Sequence, residues 1–235
     1  MARYSSKSWR AFRPGVAADC VAAVAATPIV ASRVKASAGA AQIVVPVLAA
    51  RAATAARCRI LGIDPGSRHT GFGIVDCAGG DYRCVAQGRI EVAGASLAER
   101  MYRIHDGIRA LLARHAPDEI AVERVFVNRN VDSALKLGQA RGAALAALGA
   151  DAAVYEYAPR AIKLAVVGFG GADKVQVAHM VRQLLAIGAE VALATDASDA
   201  LAVAMCHAHA RRVAAFMAGA VGASAVPRLG RSGRS

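Results

Sequence analysis

The chain has 235 residues, which is enough for one hydrophobic core of ordinary size with appendages. Its formal net charge of +12 indicates an anionic partner such as nucleic acid. The longest uncharged stretch near the N-terminus, residues 36–50, is shorter than the roughly 18 residues that span a bilayer, so we expect no membrane association.

The positive charge is unevenly distributed. Residues 1–57 carry eight basic residues and one acidic residue, whereas residues 211–235 carry five basic residues and none that are acidic. Residues 58–210 are neutral overall. Any contact between this middle part and nucleic acid must therefore come from local clusters of Lys and Arg.

Residues 1–57 are rich in Ala and Val, and we find no motif in them. A transit or signal peptide has a similar composition, but we interpret the segment as an extension that does not fold. A translation start assigned too far upstream would explain such an extension. We predict a disordered or loosely helical segment whose deletion (residues 1–56) leaves activity intact.

The five cysteines are odd in number and fit no zinc-binding spacing. Cys206, His207 and His209 suggest a metal site at first sight. They lie on an Ala-rich apolar helix, however, where packing and a satisfied surface histidine are the preferred interpretation. The sequence therefore predicts a reduced, cytoplasmic protein.

The folded part begins near residue 58 with a short apolar run that predicts a buried strand, ending in the carboxylate of Asp64. Residues 65–67, Pro-Gly-Ser, turn the chain, and residues 71–75 predict a returning strand, so the two form a hairpin. We expect the glycines that follow Asp64 to let a polyanionic ligand approach the backbone closely, because glycine has no side chain. For this motif alone, an acidic turn without a function is an equal alternative.

A third strand is predicted over residues 82–92, and Ser96 caps a helix whose apolar positions recur at helical spacing as far as Leu111. Residues 120–123 predict a fourth strand, which is apolar and again ends in a carboxylate, Glu123. The apolar residues 125–127 follow Glu123, and then the polar residues 128–130.

The remaining predicted elements are a long helix from Asp132 or Ser133, a fifth strand over 152–157, helices opening at Pro159, Asp173 and Thr195, and a basic flexible tail over 211–235. We expect the last helix to end near His209. Gly138 and Gly142 in the long helix suit either core packing or a dimer face. The order of elements predicts an α/β fold with a mixed sheet flanked by helices.

Four carboxylates can converge in this arrangement. If the first and fourth strands are parallel neighbours, Asp64 and Glu123 lie at the same edge of the sheet. Asp196 and Asp199 are three residues apart at a helix start and share one face. None has an obvious partner, so a cation is needed between them, and oxygen ligands select Mg²⁺ or Mn²⁺.

The alternative treats each acid separately. Glu123 can face solvent, and Asp196 can simply cap a helix with Asp199 in its first turn. Basic residues near these acids either form a solvated face or contact phosphate. Lys163 and Lys174 favour the second interpretation, because they flank a glycine-rich break over 168–171.

Several blocks of the sequence occur together in a known family. The chain resembles the RuvC family of bacterial Holliday-junction resolvases in residues 60–67, 123–126, 133–142, 163 with 166–168, 174 with 176, and 196–202. The resemblance covers roughly 58–210 in unbroken order, which we treat as one nuclease domain. Residues 1–57 have no counterpart in the family pattern.

The resemblance implies a ribonuclease H-like fold with a five-stranded mixed sheet, a two-fold homodimer, and Mg²⁺-dependent nicking of two opposing strands at four-way junction DNA. It further implies two Mg²⁺ ions per subunit, which Mn²⁺ can replace, and cooperation with the RuvA–RuvB branch-migration complex. The residues that match the family's catalytic and metal-binding acids are Asp64, Glu123, Asp196 and Asp199.

Other matched positions imply contacts with DNA. Phe126 corresponds to the family's junction-contacting aromatic, and a core position is its alternative. Lys163 and Lys174 correspond to basic positions near the scissile phosphate, and Arg129 and Arg141 are further candidate DNA contacts.

Two other functions compete with nuclease activity. A catalytically silent junction- or RNA-binding module on the same fold predicts that at least one acid is missing, and none is. An ATP-binding protein of the actin-like group requires a second phosphate-binding hairpin, which the sequence does not show.

Overall fold

A computed structural model describes residues 57–94, 96–124 and 131–223, with side chains described as far as residue 217. The described strands and helices are β1 (Cys58–Asp64), β2 (His69–Ala78), β3 (Asp81–Glu91), α1 (Leu97–His115), β4 (Glu119–Glu123), α2 (Val131–Ala146), β5 (Val154–Tyr157), α3 (Pro159–Val167), α4 (Lys174–Leu184) and α5 (Thr195–Ala223). The prediction for residues 1–56 lies outside these ranges. None of the helices described here is both long and apolar enough to cross a membrane.

The five strands form one mixed sheet in the order β3-β2-β1-β4-β5. β1 and β2, and β2 and β3, are antiparallel, whereas β4 runs parallel to both β1 and β5. The predicted hairpin and the five-stranded mixed sheet are therefore confirmed. β1 occupies the centre of the sheet, so the residue at its end is placed by neighbours on both sides.

Helices cover both faces of the sheet. The alternation of side chains along β1 sends Ile60 to one face, where it joins a core with α3, α4 and α5. Leu61 and Ile63 point to the other face and pack with α1 and α2. Each of these three side chains is fully buried, and their burial on both faces explains why β1 is a continuous apolar run rather than an alternating one.

Helix α5 lies unusually close to the sheet because glycines line the contact. A Cβ built on Gly62 would stand 2.1 Å from the Ala200 carbonyl oxygen, and one on Gly71 would stand 2.0 Å from the Asp196 carbonyl oxygen. The expectation that Gly71 leaves room for a polyanionic ligand is wrong. Its missing side chain makes room for the first turn of α5 instead.

Helix α5 also continues beyond its predicted end near His209. It runs to Ala223, so the flexible tail predicted over 211–235 is wrong for residues 211–223. Two causes are visible: the added residues are mostly strong helix formers, and Arg211 forms an ion pair with the half-buried Glu119 of β4. Residues 224–235 lie outside the described part of the chain.

The other boundaries lie within a few residues of prediction. Ser96 caps α1 by accepting a hydrogen bond from the Glu99 backbone N–H at 3.3 Å. Helix α2 begins at Val131, one residue earlier than expected. Gly138 and Gly142 have open space where a Cβ would lie, so core packing does not explain them.

Candidate active site

Asp64 and Glu123 are the last residues of two neighbouring strands. β1 and β4 run parallel with Ile63 opposite Val122, so the residue that follows in each strand lies at the same edge of the sheet. Hydrogen bonding between the two carboxyl groups acts to raise the pKa of Asp64 and to lower that of Glu123. The predicted convergence of these two acids is therefore confirmed, while their catalytic role stays a prediction.

The electrostatics show that the two carboxylates are crowded. Burial raises the pKa of Asp64 to about 8, and the charges of Glu123 and Asp199 act in the same direction. Burial also raises the pKa of Glu123, with the charge of Asp199 adding to the effect. The ionised forms are thus costly, because like charges share a site that is partly screened from water.

Helix α5 contributes its two acids in different ways. Asp199 belongs to the crowded group, since its charge raises the pKa of both Asp64 and Glu123. The Asp196 carboxylate lies 3.6 Å from His69 Nδ1 and is not among the largest influences on Asp64. Its backbone nevertheless packs on Gly71, the residue paired with Asp64 in the hairpin. The structure therefore brings Asp64, Glu123 and Asp199 within electrostatic reach of one another and sets Asp196 against His69.

Two predicted basic residues lie beside the acids. Lys174 Nζ donates a hydrogen bond to Asp199 at 2.9 Å, and this contact raises the pKa of Lys174. Lys163 acts on Glu123 through its charge. The expectation that no acid has a partner is wrong for Asp199, because the turn after α3 brings the start of α4 back to the sheet edge.

The remaining predicted DNA contacts are Arg141, Phe126 and Arg129. Arg141 forms an ion pair with Glu156 of β5, within the fold. Phe126 and Arg129 fall outside the described residues, so their roles stay predictions.

His69 is a site residue that sequence reasoning missed. It stands at the start of β2, five residues after Asp64, and lies against Asp196. Its position directly after the Pro-Gly-Ser-Arg turn was a usable signal, because a hairpin returns the chain to the strand end it has just left.

The donor set can be tested for its fit to a metal ion. Three crowded carboxylates offer the oxygen ligands that Mg²⁺ and Mn²⁺ prefer, and a cation would offset the charge that raises the pKa of Asp64. Within the described ranges, no three His, Cys, Asp or Glu side chains are already disposed to hold one ion. The chemistry of the donors therefore fits a divalent cation, and closing them around it requires side-chain movement.

A second polar cluster lies at the other end of β4. His207 is buried, with Nδ1 2.6 Å from the Tyr157 hydroxyl and Nε2 2.6 Å from Glu119. Burial lowers the pKa of His207, and a neutral ring that donates from Nε2 and accepts at Nδ1 satisfies both contacts. Arg211 completes the pairing of Glu119. The interpretation of His207 as a satisfied surface histidine is therefore only half right, because the ring is satisfied but lies in the core.

The chain matches a known protein family over its folded part. The family model for crossover junction endodeoxyribonuclease RuvC matches residues 60–207. The chain is 57% identical over 155 residues to the crossover junction endodeoxyribonuclease RuvC of Halorhodospira halophila (strain DSM 244 / SL1), covering 65% of this chain and 91% of that relative. The match contains all four acids and both lysines discussed above.

Solved structures show the same fold. The structure of T. thermophilus RuvC in complex with Holliday junction substrate is similar, with a TM-score of 0.62 and 35% identity, over 67% of this chain and 97% of that chain. The yeast mitochondrial Holliday junction resolvase Ydc2 has a TM-score of 0.54 at 12% identity, over 71% of this chain and 84% of that chain, which is a likeness of fold alone. Together with the sheet order, these likenesses confirm the predicted ribonuclease H-like fold.

Proposed function

The chain belongs to the RuvC family of crossover junction endodeoxyribonucleases, and on that premise we propose how its acidic cluster resolves four-way DNA junctions. It is a DNA endonuclease that hydrolyses phosphodiester bonds at Holliday junctions in homologous recombination and DNA repair. The proposal adds which residues carry the reaction and which ions they hold.

The observation that carries the assignment of the site is the crowding of Asp64, Glu123 and Asp199 at one sheet edge. Carboxylates that destabilise one another, and lie beside two lysines, are an arrangement for binding cations and phosphate rather than for stabilising the fold. The family is divalent-metal-dependent. We assign Mg²⁺ as the ion, two per subunit, with Mn²⁺ as a substitute.

The chain's own residues then have distinct tasks. Asp64, at the end of the central strand, would hold the ions together with Glu123, Asp196 and Asp199. When bound, the ions lower the pKa of the attacking water and stabilise the leaving 3′ oxygen. The products are 5′-phosphate and 3′-hydroxyl ends.

The lysines position the DNA. Lys174 and Lys163 offer positive charge next to the acids, where a scissile phosphate would displace Lys174 from Asp199. Phe126 and Arg129 are proposed as further contacts with the junction. Arg141 stays a proposed contact as well, although its guanidinium is ion-paired with Glu156.

The assembly is proposed from the symmetry of the reaction. A two-fold homodimer would present two identical sites to a two-fold junction, which accounts for paired, symmetric nicks in two opposing strands. The RuvA–RuvB complex is the proposed partner and the cytoplasm the proposed location, since both follow from the reaction on chromosomal junctions.

The proposal is tested with a synthetic four-way junction and Mg²⁺. We expect symmetric nicks in two opposing strands that a ligase can reseal, and no cleavage of a linear duplex of the same sequence. Asp64→Asn is expected to bind the junction and not to cut it. Cleavage by Asp64→Asn in Mg²⁺ would refute the assigned site, and binding without cleavage by the unmodified chain would instead favour a silent junction-binding module.

A further inference from the structure

Two thiols face each other across β1 and β2. Cys58 and Cys77 are directly opposite in the antiparallel register, and both are free. Such residues have Cα atoms about 4.5–5.5 Å apart, which is inside the range of about 4.4–6.8 Å that a disulfide bridges. Cys77 Sγ donates a hydrogen bond to the Cys58 carbonyl oxygen at 3.3 Å, so the side chain extends across the strand pair toward its opposite residue.

The two thiols differ in access and in acidity. Cys58 is 4% exposed, whereas Cys77 is partly accessible to solvent. Contact with the Cys58 thiol lowers the pKa of Cys77 to about 7, and the charge of Arg211 acts in the same direction. The same contact raises the pKa of Cys58, and burial adds to it. Because the thiolate is the nucleophile, we expect Cys77 to react with an oxidant first and Cys58 to act as the resolving thiol.

The remaining described cysteines lack this arrangement. The residue opposite Cys84 in the sheet is Val75, and burial raises the pKa of Cys84. Cys206 is fully buried in α5, and burial raises its pKa to about 12. Cys84 therefore serves as a matched control: it is a partly buried thiol on the same face of the sheet, with an aliphatic side chain across from it.

We propose that Cys58 and Cys77 form a reversible cross-strand disulfide, a modification site at the end of the hairpin remote from Asp64. The oxidant is a small-molecule disulfide of the glutathione class. The site is independent of the nuclease assignment, because it involves neither the acids nor the lysines of the sheet edge.

The exchange takes two steps. The Cys77 thiolate attacks one sulfur of oxidised glutathione, which forms a Cys77–glutathione bond and releases one glutathione thiolate that takes up a proton. The Cys58 thiol then loses its proton and attacks the Cys77 sulfur, forming the protein disulfide and releasing the second glutathione. The two protein thiols lose two electrons, and the glutathione disulfide gains them. The second step is intramolecular, so the burial of Cys58 does not prevent it.

The test treats the full chain with oxidised glutathione near neutral pH, blocks remaining thiols with an alkylating agent, and maps disulfide-linked peptides by mass spectrometry. We expect a peptide pair joined through Cys58 and Cys77, with a mass lower by two hydrogen atoms, which dithiothreitol reverses. Cys84→Ser should leave the result unchanged. Cys20 lies outside the described residues, and peptide mapping separates any bond that it forms.

Two variants make the outcome decisive. In Cys58→Ser we expect glutathione to remain on Cys77, because the resolving thiol is gone, and in Cys77→Ser we expect no linked pair. Persistent glutathione on Cys77 in the unmodified chain, a Cys77–Cys84 bond, or preferential reaction at Cys84 would each overturn the proposal.

Thermal unfolding gives a readout that does not depend on peptide recovery. A bond between residues 58 and 77 closes a loop of the unfolded chain, so the oxidised form should melt about 5 °C higher than the reduced form. The difference should vanish in Cys77→Ser and persist in Cys84→Ser. An oxidised chain that melts no higher than the reduced chain would contradict a bond formed without strain.

Discussion

Glu119 and Glu123 stand at the two ends of the same five-residue strand and both lie against α5, yet their surroundings are opposite. At the Glu119 end the negative charge is compensated, because His207 and Arg211 both contact the carboxylate. Burial alone would raise the pKa of Glu119, but these two partners hold it below its ordinary value. At the Glu123 end, acids crowd one another and the pKa values of Glu123 and Asp64 are raised. One end of the strand contributes stability, whereas the charge at the other end is not balanced.

Neutralising each glutamate in turn tests the difference between Glu119 and Glu123 most directly. Glu123→Gln should retain the fold and lose about 10³-fold in junction cleavage, because it removes a proposed ligand of the ions. Glu119→Gln should keep cleavage within about threefold and lose about 2–3 kcal/mol of stability, because it leaves Arg211 without its partner. Cleavage rates and chemical unfolding of both variants give the result, and equal effects on activity would contradict the division of roles.

The close approach of α5 can be tested at Gly71. In Gly71→Ala the new Cβ would lie 2.0 Å from the Asp196 carbonyl oxygen, so the start of α5 must move away from the sheet. We expect a loss of about 2–3 kcal/mol in stability and about 100-fold in cleavage, since the acids of α5 move with it.

Gly138→Ala is the matched control, because a Cβ there meets open space in the middle of α2. It should gain about 0.5–1 kcal/mol of helix stability. If Gly71→Ala unfolds and cleaves like Gly138→Ala, the packing of α5 does not set the geometry of the site.

The two ends should also respond oppositely to pH. An acid whose pKa is raised in the folded state loses stability as pH rises, here between the unfolded value near 4 and about 8 for Asp64. The free energy of unfolding of Asp64→Asn should therefore exceed that of the unmodified chain by about 1–3 kcal/mol at pH 8 without metal, and should differ little at pH 4. Glu119 has a lowered pKa, so its stabilisation is present at neutral pH and lost as pH falls.

Unfolding curves in chelator across this pH range measure the effect. The exposed Asp132→Asn is the control and should change stability little at any pH. A stability gain for Asp64→Asn that is larger at pH 4 than at pH 8 would have the wrong sign and would contradict the crowding.

The smallest expected effect concerns Lys174, which is 72% exposed although it pairs with Asp199. Lys174→Gln should lower cleavage about tenfold, because it removes positive charge beside the proposed phosphate position, and should change stability by less than about 1 kcal/mol. Lys136→Gln removes an exposed lysine with a similar partner, Asp132, and Lys136 is not among the main influences on the pKa of Asp64 or Glu123. It should leave cleavage unchanged, and equal losses in both variants would indicate a general charge effect.

Local patterns in the sequence were sufficient for most of the fold. The apolar run before Asp64, the Pro-Gly-Ser turn and the short strand ending in Glu123 predicted the hairpin and its parallel neighbour, because strand burial and turn chemistry are local properties. The end of α5 could not be predicted in the same way, because the positive charge of residues 211 and 212 is typical of a flexible tail. The ion-pair partner of Arg211 is Glu119, which lies 92 residues away along the chain.

The same division holds within the site. Residue type and order alone predicted which acids and lysines come to one edge of the sheet, because strand ends and a helix start place them there whatever the details of packing. Only the tertiary structure decided that Gly71 accommodates α5, that His69 lies against Asp196, that Arg141 is held by Glu156, and that Glu119 is neutralised while Glu123 is not. These are contacts between segments distant in sequence, and their energies depend on burial and on nearby charges that appear only when the chain is folded.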